Sequence, residues 1–243
     1  MSSLLLSLRI APMFAFAPPF SLVRAPALVR LLLGIGLAIA VVSGNPSLTS
    51  LADLSIGTLL VAAIRELMLG TIFVLAFQLT FGALYMAGRT IDIQAGFGLA
   101  LVIDPTTRAQ MPLAGTLFAY AAGAIFFALG GDRDLLRLIA ASLEAIPLGA
   151  THAPLSIGPL AGFMSMVFIT AFGVAGGTIL VLFLADVAIA FLSRTVPQMN
   201  VLILGFQVKT LILLMVLPTS FGLAGALLAR MTTMTLTAIP RLL

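Results

Sequence analysis

Apolar residues run along the chain in long stretches, at about 4–20, 27–43, 57–86, 113–130, 158–192 and 201–228. They do not alternate with period two, so they predict α-helices and not the strands of an outer-membrane barrel. Crossing the hydrocarbon core of a bilayer takes about 20 helical residues. The first run contains Arg9 and is interrupted by Pro12, Pro18 and Pro19. A cleavable signal has a short, unbroken apolar centre, so this run reads as a kinked first membrane segment. The third and fifth runs exceed one crossing and must tilt, break or project beyond the bilayer. Gly173, Gly176 and Gly177 near the middle of the fifth predict a break or a tight helix crossing. Pro218 removes a helix hydrogen bond in the sixth and predicts a kink.

The polar intervals supply the connections. Asn45 to Ser55 is a turn-rich loop, and Gly88 to Gly115 is a glycine-containing stretch of intermediate polarity. Gly130 to Pro159 holds a short amphipathic piece, Asp134 to Ile146, bounded by Gly-Gly and Pro. The compact polar turn Arg194 to Asn200 makes the last two runs an antiparallel hairpin. There is no internal repeat, so residues 1–243 form a single domain. The fold class is an all-α membrane protein. It has about six hydrophobic helical segments, some broken or re-entrant, and ends in an antiparallel helical hairpin. Arginines fall on both sides of any six-pass arrangement, so charge asymmetry gives no orientation.

Composition fixes the solvent. Charged residues are 8% of the chain and apolar residues 61%, where a soluble domain carries roughly 25% charge. With a mean hydropathy of +1.24, too few polar residues remain to cover an aqueous exterior, so lipid covers much of the surface. Twelve basic residues against eight acidic ones give a formal charge of +4. They are scattered, without the basic cluster that tracks a phosphate backbone, which argues against nucleic acid. The chain has no cysteine, which excludes disulfides and thiolate metal sites. The lone histidine, His152, lies in a Thr-His-Ala-Pro loop and reads as a solvated side chain. No zinc-protease, nucleophile-elbow or P-loop pattern is present, so neither an enzyme nor a cofactor is expected.

The charges inside apolar runs are more informative: Arg65 and Glu66 in the third, Asp186 in the fifth, Lys209 in the sixth. Such groups cost a few kcal/mol in hydrocarbon, so they face protein or water and pair. Adjacent Arg65 and Glu66 cannot share a helix face, so each requires its own partner, on this chain or on another subunit. An ion path would need several carboxylates in series, so attachment between helices is the favoured reading. Asp186 lies eleven residues before Pro197, and Lys209 nine after Asn200. Both therefore sit about 14–16 Å from the turn at helical rise, a depth that predicts pairing with each other or with a neighbouring subunit. The spacings Gly158/Gly162 and Gly173/Gly177 suit close helix approach. The stretch from Gln94 to Pro112 flanks Phe97 with Gly96 and Gly98 and places Pro105 after Asp104. It reads equally as a connector with helix caps or as a re-entrant loop lining a pore.

Several of these residues together resemble the flagellar biosynthetic protein FliR family, with its virulence-system counterparts, the SctT family. Arg9-Ile-Ala-Pro12, Pro18-Pro19 and Arg30 fit the family's opening pattern. Arg65-Glu-Leu-Met-Leu-Gly70, Gln78, Ala87-Gly88, Gln94, Gly96 and Asp104-Pro105 fit its centre. The most specific piece is Arg194-Thr-Val-Pro-Gln-Met-Asn200, followed by Gly205-Phe206 and Lys209. The resemblance implies a core subunit of a type III export gate that assembles with P-type and Q-type subunits and passes unfolded polypeptides across the inner membrane. It implies a P-like part at about 1–155 and a Q-like hairpin at about 156–230; the chain departs from longer relatives in having little tail beyond Arg230. It implies a channel plug over Gly96 to Met111, with Gly96, Phe97, Gly98, Leu99, Asp104, Pro105, Arg108 and Met111 as its marked residues. It also implies an assembly contact at Arg194, Pro197, Gln198, Met199 and Asn200. The loop from Val102 to Pro112 is closer to the flagellar branch. A small-molecule or ion transporter is the competing class, and it lacks the inverted internal symmetry such folds carry.

Overall fold

The computed structural model describes residues 1–23, 25–44, 46, 55–97, 113–149, 158–195 and 200–242. Among these there are seven α-helices and one 3₁₀ turn, and no strand. The helices are α1 (Ser2–Phe16), α2 (Ala27–Gly44), α3 (Ile56–Gln94), α4 (Leu113–Ala128), α5 (Gly131–Ala145), α6 (Gly158–Thr195) and α7 (Val201–Leu242). The 3₁₀ turn, Phe20–Leu22, follows α1. Each apolar run holds one helix, and the amphipathic piece becomes α5. Three helices are long and apolar enough to cross a membrane, or four if the bent pair α4 and α5 counts as one span. The chain is a multi-pass membrane protein.

One expectation is corrected. The fifth run does not break: α6 continues through Gly173, Gly176 and Gly177 for 38 residues. A Cβ on Gly176 or Gly177 would meet nothing within 4 Å, and one on Gly173 only the Leu227 Cδ1 at 3.9 Å. These glycines make no close crossing within the chain. Helix α7 passes through Pro218 and runs beyond Arg230 to Leu242, burying Met231, Thr232, Thr235, Leu236 and Ile239.

Helix α3 is the axis of the fold. It is 39 residues long and unbroken, about 58 Å at 1.5 Å per residue. Its buried positions include Ala62, Glu66, Leu69, Phe73, Ala76, Phe77, Thr80, Leu84, Ala87, Ile91 and Asp92, which follow the helical repeat of three and four. Helices α1, α4, α6 and α7 pack against it, while α2 packs on α1. The outer face of α2 leaves Leu28, Leu32, Leu33 and Ile39 exposed, as a lipid- or partner-facing helix does.

The tight crossings occur at single small residues. A Cβ on Gly34 would lie 2.6 Å from the Ala11 Cα, and one on Gly70 would lie 2.6 Å from the Arg9 carbonyl oxygen. A Cβ on Gly88 would lie 2.2 Å from both the Cα and the nitrogen of Gly115. Backbone therefore meets backbone between α1 and α2, α1 and α3, and α3 and α4. The α4–α5 bend is 71°. It turns on Gly130, whose φ of 75° favours glycine, and on Gly131, where a Cβ would fall 2.5 Å from the Phe126 ring. Beyond the bend, α5 buries Leu135, Ile139 and Leu143 and exposes Asp132, Arg133, Arg137 and Glu144.

Candidate functional site

The deepest charged group is Arg9, whose residue is 1% exposed. It enters the bundle on α1 and meets Glu66 of α3 in a two-pronged pair. Nε donates to Oε2 at 2.6 Å and Nη2 to Oε1 at 2.9 Å. Its remaining donors close the end of α5: Nη1 reaches the Ser142 carbonyl at 3.1 Å and hydroxyl at 3.2 Å, and Nη2 the Ile146 carbonyl at 3.0 Å. The planar fork of a guanidinium makes this possible, since one group faces a carboxylate and still has donors to spare. Three helices are joined at one buried cation.

A second junction forms where α3 stops. The Phe97 N–H donates to the Asp92 carbonyl and the Gly96 N–H to the Ile93 carbonyl, both at 3.0 Å. This is a Schellman stop, and Gly96 holds the left-handed position it requires, with φ of 95°. The Lys209 ammonium on α7 donates to the Gln94 carbonyl at 3.2 Å and pairs with the Asp186 carboxylate on α6. The Phe97 ring meets Phe206 of α7 edge-on, with centroids 6.2 Å apart. Glycine at 96 thus serves as a fixed helix stop; the backbone freedom suggested by its sequence context is already committed.

Two more helix ends are served from elsewhere in the chain. Both Asp92 carboxylate oxygens accept from the Ala114 N–H at 3.2 Å, at the start of α4. The Gln78 amide donates to the Phe16 carbonyl at 2.7 Å, at the end of α1. The signs follow the helix dipole: cations or a neutral donor close C-termini, and the carboxylate closes an N-terminus. Helix ends carry unpaired backbone groups, and inside a membrane bundle these need side-chain partners in place of water.

The amino-acid sequence over residues 1–235 matches the family of bacterial export proteins, family 1. The chain belongs to that family. The flagellar biosynthetic protein FliR of Bacillus subtilis (strain 168) is 32% identical over 211 residues, which cover 85% of this chain and 80% of that protein. FliR of Aquifex aeolicus (strain VF5) is 29% identical over 215 residues, 86% of this chain and 81% of that one. The Yop proteins translocation protein T of Yersinia pestis is 27% identical over 158 residues, 64% of this chain and 60% of that one. This member of the bacterial export proteins is accordingly a subunit of a type III export apparatus and partners with other components of that apparatus.

The export protein's marked residues fall unevenly. Gly96 and Phe97 belong to the α3 stop, while Gly98, Leu99, Asp104, Pro105, Arg108 and Met111 lie outside the described residues, as does His152. In the assembly turn, Arg194 is exposed at the end of α6, and the Asn200 side-chain oxygen accepts from the Ile203 N–H at 3.3 Å to cap α7. Pro197, Gln198 and Met199 lie outside the described residues. Glu66 finds its partner on this chain, in Arg9, whereas half-buried Arg65 takes no part in that pair. Arg9 and Asp92 were missed. Arg9 had a signal, as a cation in the first apolar run matching a carboxylate in the third; Asp92 had none, because its partner is a backbone N–H.

A test follows for Gly96. Replacing it with Ala places a Cβ in the left-handed position and 3.1 Å from Phe206. The expected cost is about 1–2 kcal/mol, read as a lower unfolding temperature of the detergent-solubilised chain. A Gly96→Ala protein as stable as its parent would show that the stop tolerates a side chain.

Proposed function

We propose that this chain is a core pore subunit of a flagellar-type export gate in the bacterial inner membrane. It assembles there with P-type and Q-type subunits in the basal body and passes unfolded flagellar polypeptides. The flagellar reading is supported by FliR relatives from four bacteria, three of which align over 82–86% of the chain. The N-terminal part, to about residue 155, corresponds to the P-like unit, and the α6–α7 hairpin to the Q-like one.

In this reading residues 96–111 close the resting channel. The support is the way their two flanks are tied. Asp92 holds Ala114 where the chain re-enters the bundle, and two residues along α3 Gln94 is held by Lys209 where it leaves. A pore wide enough for a polypeptide leaks ions unless sealed, and the stretch supplies apolar bulk in Phe97, Leu99, Leu101, Val102, Ile103 and Met111. An unbranched methionine suits a seal against varied side chains.

The test removes residues 98–103 and leaves both flanks in place. The complex should still copurify with P-type and Q-type subunits, while the membrane becomes permeable to small solutes. An intact complex that stays tight after the deletion places the seal elsewhere. A chain that purifies alone, as a homogeneous monomer, would refute the gate assignment itself, and normal motility in cells lacking it would refute the flagellar one.

A further inference from the structure

The Schellman stop of α3 uses the backbone N–H groups of Gly96 and Phe97 for the carbonyls of Ile93 and Asp92. The next carbonyl, that of Gln94, takes its hydrogen from Lys209, 115 residues later and on another helix. An ammonium carries three donors and acts as a point charge, so it serves two acceptors at once. Here the acceptors are the Gln94 carbonyl, at the negative end of the α3 dipole, and the Asp186 carboxylate of α6. One turn earlier on α7, Phe206 packs its ring against Phe97. A single turn of α7 therefore grips the last residues of α3, and Asp186 ties α6 to the same point.

We propose that Lys209 is the positioning residue of the α6–α7 hairpin. Its ammonium, shared between Asp186 and the Gln94 carbonyl, docks the hairpin on the end of α3, and export depends on that docking. The dependence of export rests on the gate reading above; the docking does not. A bare ion pair would join α6 to α7 only, within the hairpin. The cap on Gln94 joins the hairpin to the N-terminal bundle, and it needs a donor at position 209. Exchanging the two charges, Asp186→Lys with Lys209→Asp, separates the roles. It keeps opposite charges on the same two helices but turns a carboxylate towards the Gln94 carbonyl.

The chain has no native cysteine, so spin labels at Ile93→Cys and Ile203→Cys report the separation of α3 and α7 without background. Both positions are exposed. The measurement is made on the copurified complex in nanodiscs. The parent should give one narrow distance peak, and Lys209→Arg should keep it. Lys209→Met and the charge exchange should each lower the ratio of docked to undocked chains about tenfold, the effect of losing a charge-assisted hydrogen bond. Asp186→Asn should keep most of the docked peak, since the cap on Gln94 remains. Export by Lys209→Met, in complexes of normal yield, should fall in proportion to the docked fraction.

A charge exchange that returns the parent's distribution overturns the proposal in favour of the ion pair alone. An unchanged distribution in Lys209→Met overturns it outright, and normal export with a broadened distribution overturns the dependence of export. Should Lys209→Met not accumulate, Lys209→Gln, which has no charge and a shorter reach, carries the same expectation and the same refutation. A membrane that stays tight after removal of residues 98–103 counts against the seal and leaves these distances as they are.

Discussion

Replacing Glu66 with Leu will destabilise the folded chain by about 3–5 kcal/mol, because it leaves the Arg9 guanidinium buried without its carboxylate. Few sites in the molecule are so exposed to a single change. Arg9 is 1% exposed and Glu66 is 2% exposed, so water does not replace the lost oxygens. Arg9→Met should be similarly damaging, since it strands Glu66 and also releases the Ser142 and Ile146 carbonyls at the end of α5. The double variant, Arg9→Met with Glu66→Leu, should recover much of the loss, because a buried pair replaced by apolar groups is often neutral or better. The shortfall in that recovery includes the lost contacts to the Ser142 and Ile146 carbonyls of α5. Arg9→Lys should not rescue, since one ammonium cannot face the carboxylate on two prongs and still close α5. The exposed pair Arg137–Asp134 is the control: Asp134→Asn should cost less than about 1 kcal/mol. Thermal unfolding of the detergent-solubilised proteins gives all five values. A Glu66→Leu variant within 1 kcal/mol of the parent would mean that the carboxylate contributes almost nothing net.

The helices were legible because lipid-facing sequence is written in long apolar runs, punctuated by Gly-Gly at 130–131, by prolines and by the polar turn near 194–200. The pairing of Asp186 with Lys209 follows from counting residues away from that turn, since a hairpin is a local object. Which face of each helix is buried was not legible. In a soluble helix the outer face is polar, so the inner stripe stands out. In α3 both faces are apolar, and Leu69, which is buried, reads the same as Leu67, which is exposed. The crossings were misplaced for a related reason. On α6, Gly162, Gly176 and Gly177 look like packing positions but face open space, whereas isolated Gly34, Gly70 and Gly88 bring backbones together. The capping bonds were hidden most completely. Gln78 to Phe16 spans 62 residues, Asp92 to Ala114 22, and Lys209 to Gln94 115. Each joins a side chain to a backbone group, and a backbone group leaves no mark in the sequence.

The same substitution should have opposite signs at two glycines of α3. At Gly82 a new Cβ meets nothing within 4 Å. Gly82→Ala should therefore stabilise the helix by about 0.5–1 kcal/mol, by removing backbone freedom from the unfolded chain. At Gly88 the new Cβ would stand 2.2 Å from the Cα and the nitrogen of Gly115. Both are backbone atoms, so no side chain can swing away, and α3 and α4 must separate. Overpacking of this kind costs about 1–3 kcal/mol and sometimes more. The strain has a specific route outward. Ala114 adjoins Gly115, and its N–H is the one that Asp92 holds. Moving α4 away from Gly88 therefore stretches the Asp92 cap, leaving a buried carboxylate short of its donor. Gly88→Ala should accordingly lower the unfolding temperature, reduce the yield of assembled complex and impair export. Gly88→Val should do all three more severely. Comparing Gly82→Ala with Gly88→Ala on one helix removes helix propensity from the question, because that contribution is shared. If the two variants unfold at the same temperature, the α3–α4 contact is looser than the structure places it, and the position of Asp92 against α4 must be redrawn with it.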